Sequence, residues 1–384
     1  MNKVNATVDF QYDTLVDRLN ICNRVDEIKR IKKLVTLKRP QIIFAPRRYG
    51  KTSIMRNVIM EDFIKSKNIP IYVDLMDVSS LDSIAERLGN SLSIAFAKHV
   101  KIKSFMLQLS QYFKSLKMTI SIDAMTQLPT IDISGDASPR KNMLNDIFVG
   151  IEKLAKQYEV LLIFDEFQDI DNVPEASAIF RQHLQKLNKI AVILSGSKRH
   201  LLTDMFSKNQ SPFFNYGEEI FFEEISVEEW LPYFQQRLNP VKKSISRAAL
   251  NVLMCEMSQV PNAICEVGFW LKESSLANDF FEPDIHRELL RMVDAKSHSL
   301  RFQLSQMSPT AIQVITAIAR RQFVLQIAAK DFVSECRAAQ SAIRKIVGKL
   351  MASGFVEWEL DKGYRLSDPV LSYFLKNQSK NRIR

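Results

Sequence analysis

Three observations predict an α/β fold in which a parallel sheet is covered by helices on both faces. Apolar runs rich in β-branched residues recur at Pro40-Gln41-Ile42-Ile43-Phe44, Ile69-Pro70-Ile71-Tyr72-Val73-Asp74, Val160-Leu161-Leu162-Ile163-Phe164 and Ile190-Ala191-Val192-Ile193-Leu194. They are nearly continuous rather than alternating, as strands buried on both faces must be. Helical patterns separate them, the first carrying Ile54, Val58 and Ile59 after Lys51, and a crossover helix is what parallel pairing requires.

Later segments depart from that alternation. Met118-Thr119-Ile120-Ser121-Ile122 and Thr130-Ile131-Asp132-Ile133-Ser134 alternate polar and apolar residues around Pro129, which predicts an antiparallel hairpin inserted at about 117–135. Beyond Ile225 the pattern is purely helical to about residue 350. Pro309 opens one helix with its proline in the first turn, a short one is expected at Ile327–Val333, and a third at Arg337–Met351. Then Phe355-Val356-Glu357-Trp358-Glu359-Leu360, Asp361-Lys362-Gly363 and Tyr364-Arg365-Leu366 read as a hairpin turning at glycine. Three helices followed by a hairpin is the order of a winged helix-turn-helix. The expected domains are an α/β core at 1–225, a helical lid at 226–298, a winged helix at 299–376 and a basic tail at 377–384.

With 384 residues, 46% hydrophobic and 25% charged, the chain is neither wholly disordered nor coiled-coil nor collagen-like. No window of eighteen residues is apolar and uncharged, and the N-terminus has no apolar block, so a soluble, cytoplasmic protein without a membrane partner is expected. Cys22, Cys255, Cys265 and Cys336 are too scattered for a metal pair and read as free thiols. The net charge of +10 is localised: residues 301–384 hold 14 Lys and Arg against 6 Asp and Glu, while the first 300 hold 39 against 37. Charge concentrated in the C-terminal fifth points to a polyanion, namely nucleic acid, as the partner of that domain.

The strand at Ile42–Phe44 runs into Ala45-Pro46-Arg47-Arg48-Tyr49-Gly50-Lys51-Thr52-Ser53 and then a helix. This fits the phosphate-loop pattern GxxxxGK[ST], with Ala45 in place of the first glycine. In such a loop backbone N–H groups wrap phosphates, the lysine reaches their β and γ oxygens, and the hydroxyl ligates Mg²⁺. ATP and Mg²⁺ are the cofactors expected, with residues 45–53 binding nucleotide and Thr52 the metal. Placed in a loop, Lys51 is expected to touch little of the core, so that its removal abolishes nucleotide binding and leaves the fold intact. The strand Val160–Phe164 ends in Asp165-Glu166-Phe167-Gln168. A carboxylate at that tip can hold the Mg²⁺ shell and its neighbour can polarise an attacking water, the roles assigned to Asp165 and Glu166. After the next strand comes Ser195-Gly196-Ser197-Lys198-Arg199, where Ser195 or Ser197 suits a polar sensor of the γ-phosphate and Lys198 or Arg199 a source of positive charge.

Together with these motifs, Asn23-Arg24-Val25-Asp26-Glu27-Ile28, Arg181-Gln182-His183-Leu184-Gln185 and Gly196-Ser197-Lys198-Arg199-His200 make the sequence resemble the archaeal-type ATPases. These also occur in bacteria and are placed with the STAND and AAA+-like P-loop NTPases. Gly363-Tyr364-Arg365-Leu366-Ser367-Asp368-Pro369 resembles the end of that family's winged helix, so the likeness covers most of the chain. It implies an ATP-binding core, a helical lid and a winged helix, with Asn23 and Arg24 near the nucleotide. Gln259-Val260-Pro261 keeps the proline but not the glycine that often opens the lid's sensor helix. Arg181 stands where a subunit-to-subunit arginine could lie.

On the third helix of the basic domain Arg337, Gln340, Ser341, Arg344, Lys345 and Lys349 are left facing outward, types suited to a major groove. Lys362 and Arg365 on the wing, and Lys376, Lys380, Arg382 and Arg384 in the tail, would add backbone contacts. No metal-ligand spacing links His99, His183, His200, His286 and His298, and no Gly-x-Ser-x-Gly elbow is present. Two functions fit: a slow, oligomerising ATPase switch bound to duplex DNA, or a STAND-type signalling ATPase whose winged helix docks a protein or clamps the core.

Overall fold

The computed structural model describes residues 8–65, 68–97, 118–122, 129–133, 140–359 and 361–378. The chain divides into two compact units, one of Arg24–Pro46 with Lys51–Phe222, the other of Met1–Asn23, Arg47–Gly50 and Glu223–Arg384. The tail residues Lys380, Arg382 and Arg384 lie outside the described residues.

In the first unit β1 (Gln41–Phe44), β2 (Ile69–Asp74), β5 (Val160–Asp165), β6 (Ala191–Gly196) and β7 (Glu218–Phe221) form one sheet in the order β2-β5-β6-β1-β7. Every neighbouring pair is parallel, and the register sets Asp74 beside Asp165 and Phe44 beside Gly196, so the carboxyl ends of four strands finish level. In open parallel sheets those ends are where ligands bind. β5 is buried along its whole length, as its unbroken apolar run demands. The edge strand β7 is not among the strands expected from sequence. Its Glu218 and Glu219 are exposed and only Ile220 is buried, so it has no apolar run to detect. A separate antiparallel ribbon pairs β3 (Met118–Ile122) with β4 (Pro129–Ile133), Ile120 opposite Ile131.

The helices Leu81–Ala97 and Arg140–Leu154 contribute Ile84, Leu88, Phe148 and Ile151 to a core shared with Ile71, Val73, Leu162, Phe164, Val192 and Leu194 of the strands. Aromatic rings close its other end. Phe167, fully buried, packs edge-on against Phe180 and Phe213, with centroids 5.5 and 5.2 Å away. Such edge-to-face pairs contribute about 0.5–1.5 kcal/mol each beyond burial. They clamp the residue that follows Glu166 and so fix where β5 delivers its acids. His183 stacks on Phe148 at 4.8 Å and meets the Asn145 side chain at 2.7 Å, and burial lowers its pKa. It is a packing residue.

In the second unit Ser226 and Glu229 form a capping box at the start of the helix Val227–Leu238. Within it Arg237 is buried, its charge met by the Asp9 and Tyr233 carbonyls and by Asn20 Oδ1 at 2.9, 3.1 and 3.0 Å. Pro261 occupies the first turn of the helix Pro261–Glu273. The stretch expected to be purely helical contains a short parallel pair, β8 (Ser244–Ile245) with β9 (Asp279–Phe280).

Towards the C-terminus the elements are the helices Pro309–Arg321, Lys330–Cys336 and Gln340–Ala352, the antiparallel pair β10 (Val356–Glu359) and β11 (Gly363–Leu366), and the helix Pro369–Gln378. The second and third helices start three residues later than their sequence pattern suggests. Val324 bridges to Tyr364 and draws that stretch into the hairpin, while Arg337, at φ 49°, breaks the chain between the two helices. Gly363 must be glycine: at φ 93° a Cβ would stand 2.4 Å from the Val324 carbonyl oxygen.

Candidate nucleotide site

In the first unit β1 ends at Phe44, Ala45 is buried and its N–H reaches the Gly196 carbonyl at 3.5 Å, and Pro46 is half-buried. The helix that follows the loop begins at Lys51. Lys51 is 6% exposed, and its Nζ lies 2.7 Å from Asp165 Oδ1 and 2.9 Å from Glu166 Oε1. Burial alone would lower the ammonium's pKa, but the two carboxylates outweigh it and hold the group above its ordinary value. Burial likewise favours protonated acids, yet Lys51 and the surrounding donors keep both Asp165 and Glu166 below the usual carboxylate range. The expectation that Lys51 touches little of the core is corrected here. Its removal strips the cation from the buried Asp165 and the half-buried Glu166, and breaking a buried pair costs about 3–5 kcal/mol.

Asp165 is saturated with partners. Thr52 Oγ1 donates to Oδ2 at 3.0 Å, Tyr72 to the same oxygen at 2.7 Å, and Ser195 Oγ and the Glu166 N–H to Oδ1 at 2.8 and 3.0 Å. Burial and Asp165 together raise the Tyr72 pKa, so its hydroxyl stays a donor. Glu166 sits at φ 50°, in the left-handed region, and its Oε2 accepts from Ser197 N, Ser197 Oγ and Gln168 Nε2 at 3.1, 2.8 and 2.8 Å. Of the two candidate sensors, Ser197 therefore reaches the second acid and Ser195 the first. Lys198 is paired with the buried Asp169 at 3.0 Å, and Ser53 is buried on the helix.

Tyr72 and Gln168 are the residues that sequence reasoning missed. The only cue for Tyr72 was a polar hydroxyl two residues before the end of an apolar strand. For Gln168 it was its place in the Asp165–Gln168 string.

Thr52 and Asp165 offer a hydroxyl and a carboxylate oxygen on one side of Lys51, hard donors of the kind Mg²⁺ takes while keeping water and substrate phosphates as its other ligands. The residues present fit that ion. Arg24 is buried at φ 67°, stacks over Phe222 at 5.1 Å and donates to Glu27 at 2.7 Å. Its Nε and Nη2 have no partner although buried. Arg181 stacks over Tyr216 at 5.0 Å.

The remaining loop residues, Arg47–Gly50, belong to the second unit, as does Asn23, whose amide donates to Glu229. Arg48 is exposed, at φ 65°, and 3.4 Å from Asp368, while its carbonyl accepts from the Asn262 N–H. Arg47 passes over Gly354, where there is no room for a Cβ, and Gly50 takes φ 80°. Tyr49 is buried, its pKa pushed to about 12 by burial against the opposing pull of the Arg365 charge.

Arg365 itself is 3% exposed, with Glu357 at 2.7 Å, Glu359 at 3.2 Å and the Ser258 carbonyl at 3.1 Å. This corrects its assignment to a nucleic-acid face: its charge is neutralised inside the unit. Lys362 is paired with Glu224 and Glu359, each at 2.8 Å. Arg344, Lys345 and Lys349 are exposed, as their spacing on the helix predicted, and Arg337 is exposed in the turn before it.

No protein-family model matches this chain, and no curated protein does. Solved structures resemble it over nearly its whole length. The Walker-type ATPase PABY2304 of Pyrococcus abyssi superposes with a TM-score of 0.62 at 17% identity, covering 96% of this chain and 99% of that one. The Orc1 protein of Aeropyrum pernix, solved in complex with DNA, gives a TM-score of 0.50 at 12% identity, covering 98% and 97%. The chain shares the fold of these two proteins. Among the described residues no helix is long and apolar enough to cross a membrane.

The charge network makes a pH-dependent contribution to stability. The lowered carboxylate pKa values mean that it is present above about pH 4 and lost as pH falls through the folded values of Asp165 and Glu166. Lys51→Met should therefore lower the nucleotide-free thermal midpoint clearly at pH 7, with a gap to wild type that narrows below about pH 4. Scanning calorimetry across that range measures it, and a gap independent of pH rules out the charge account.

Proposed function

We propose that the chain is an Mg²⁺-dependent ATPase of slow turnover, a switch that binds duplex DNA through a C-terminal winged helix and oligomerises on it. The observation that carries the ATPase reading is the convergence of Lys51, Thr52, Asp165 and Glu166 at the carboxyl ends of β1 and β5. Lys51 is the point charge for the β and γ phosphates, Thr52 and Asp165 hold Mg²⁺, and Ser197 senses the γ-phosphate. Bound Mg²⁺ offsets charge on the phosphates. Glu166 accepts the proton of the attacking water, which its lowered pKa permits at neutral pH because the carboxylate is ionised. ATP binding draws Lys51 off the acids and leaves Glu166 Oε1 free. The Walker-type ATPase among the similar structures supports this reading. Arg24 suits a place near the nucleotide because two of its buried guanidinium nitrogens lack partners.

Glu166→Gln should retain ATP and Mg²⁺ and hydrolyse about 10²–10⁴-fold more slowly, whereas Asp165→Asn should weaken Mg²⁺ dependence itself. Single-turnover hydrolysis and calorimetric binding separate the two. Loss of Mg·ATP binding in both would end the division of labour between them.

The DNA reading draws support from the exposed basic face of the helix Gln340–Ala352, from the helix–helix–helix–hairpin order, and from the DNA-bound Orc1 among similar folds. Because Lys362 and Arg365 have internal partners, the helix carries the contact. Changing Arg337, Arg344 and Lys345 to Ala should weaken duplex binding and flatten its log-log salt slope by roughly two to three units, with ATP affinity unaltered. A fluorescence titration at several salt concentrations measures it, and an unaltered slope removes the assignment.

The contacts of Arg48 with Asp368 and of Tyr49 with Arg365 favour the second reading, a STAND-type signalling ATPase whose winged helix clamps the phosphate loop until a protein partner releases it. Asp368→Ala then raises ATP affinity about two- to fivefold, the range expected for a partly exposed ion pair. Calorimetry that finds the affinity unaltered leaves the DNA reading alone.

A further inference from the structure

Gln168 has no part in the chemistry above, yet it is held as tightly as any residue of the site. It is 2% exposed, on the 3₁₀ turn Phe167–Asn172 that follows β5. Its Nε2 donates to Glu166 Oε2 at 2.8 Å and to Asp169 Oδ1 at 3.2 Å. Two carboxylate oxygens on one side oblige the NH₂ group to face them, which turns Oε1 the other way, where it is buried without a hydrogen-bond partner. That side is closed by Gly196, the last residue of β6. A Cβ there would stand 1.9 Å from Gln168 Oε1 and 2.8 Å from Leu202 Cδ1, so a glycine is required for the amide to seat.

The geometry around Glu166 gives this seat a purpose. Its backbone lies in the left-handed region, and the direction of its carboxylate is set by hydrogen bonds. Gln168 Nε2 and both the N–H and the hydroxyl of Ser197 donate to Oε2, while among the described residues it is Lys51 that Oε1 faces. We infer that Gln168, seated on Gly196, is the positioning residue that locks Glu166 Oε2, so that the oxygen released by Lys51 on nucleotide binding is the one presented to water. The inference rests on the reading of Glu166 as the acceptor of the water proton. Gln168 acts through that acid and touches neither substrate nor metal.

Kinetics of the full chain with Mg·ATP test it. Gln168→Met keeps the volume and removes the donor, and Gly196→Ala unseats an intact Gln168. Each should lower kcat about 10–100-fold, the worth of a hydrogen bond to a charged group, with ATP affinity within about twofold. In a Glu166→Gln background Gln168→Met should change the residual rate no further, because it acts only through the acid. A merely structural role would lower both backgrounds alike, and that result, or wild-type kcat in Gln168→Met, overturns the inference. Should Gly196→Ala fail to fold, Gln168→Met decides alone. A wild-type chain that hydrolyses no ATP removes the Glu166 reading and this one with it, whereas active wild type with an unaffected Gln168→Met removes only this one.

Discussion

The ion pairs of Lys51 with Asp165 and Glu166 are the constraint around which the first unit is arranged. Two buried charges, Lys51 and Asp165, meet the half-buried Glu166 at the end of a parallel sheet, and neither buried charge could be left there alone without a penalty of several kcal/mol. Each therefore dictates its neighbours. Asp165 requires donors from β2, β6 and the phosphate-loop helix, which Tyr72, Ser195 and Thr52 supply. That demand fixes the register in which those elements meet. Lys51 pairs with both acids, so its charge is taken up by theirs.

The loop before Lys51 answers to a different set of contacts. Arg47, Arg48 and Tyr49 are held by Gly354, Asp368 and Arg365, and by the N-terminus of the helix at Pro261. Left-handed backbone at Arg48 and Gly50 lets four residues follow that course and return to a helix. The residues that make these contacts are more than 200 positions away in sequence.

What was legible in the sequence was whatever depended on short-range pattern. β1, β5 and β6 are buried on both faces and leave apolar runs, with the Gly50-Lys51-Thr52 string a short loop after β1 and the Asp165-Glu166 string at the end of β5. β7 escaped because an edge strand needs only one buried residue, and β8 and β9 because two residues carry no period. Tyr72 and Gln168 escaped for another reason. Their importance lies in register and in the missing side chain of Gly196, neither of which is encoded near them in sequence.

Net charge misled in an instructive way. The surplus of basic residues after position 300 is real, but a count cannot tell a cation facing solvent from one buried against acids. Arg365 sits among Glu357, Glu359 and Ser258, and burial raises the Glu357 pKa against the opposing pull of that arginine. Lys362 is likewise balanced by Glu224 and Glu359. Subtracting these internal pairs moves the free positive charge off the hairpin and onto the helix Gln340–Ala352, where Arg344, Lys345 and Lys349 lie within two helical turns. The hairpin is thereby freed from one role and fitted for another. Its arginine meets a tyrosine of the phosphate loop, and Asp368, two residues beyond the hairpin, holds that loop's Arg48. The C-terminal region thus divides its charge, with exposed cations on the helix Gln340–Ala352 and internally paired ones at the hairpin, because among the described residues only the hairpin has acids close enough to pair with.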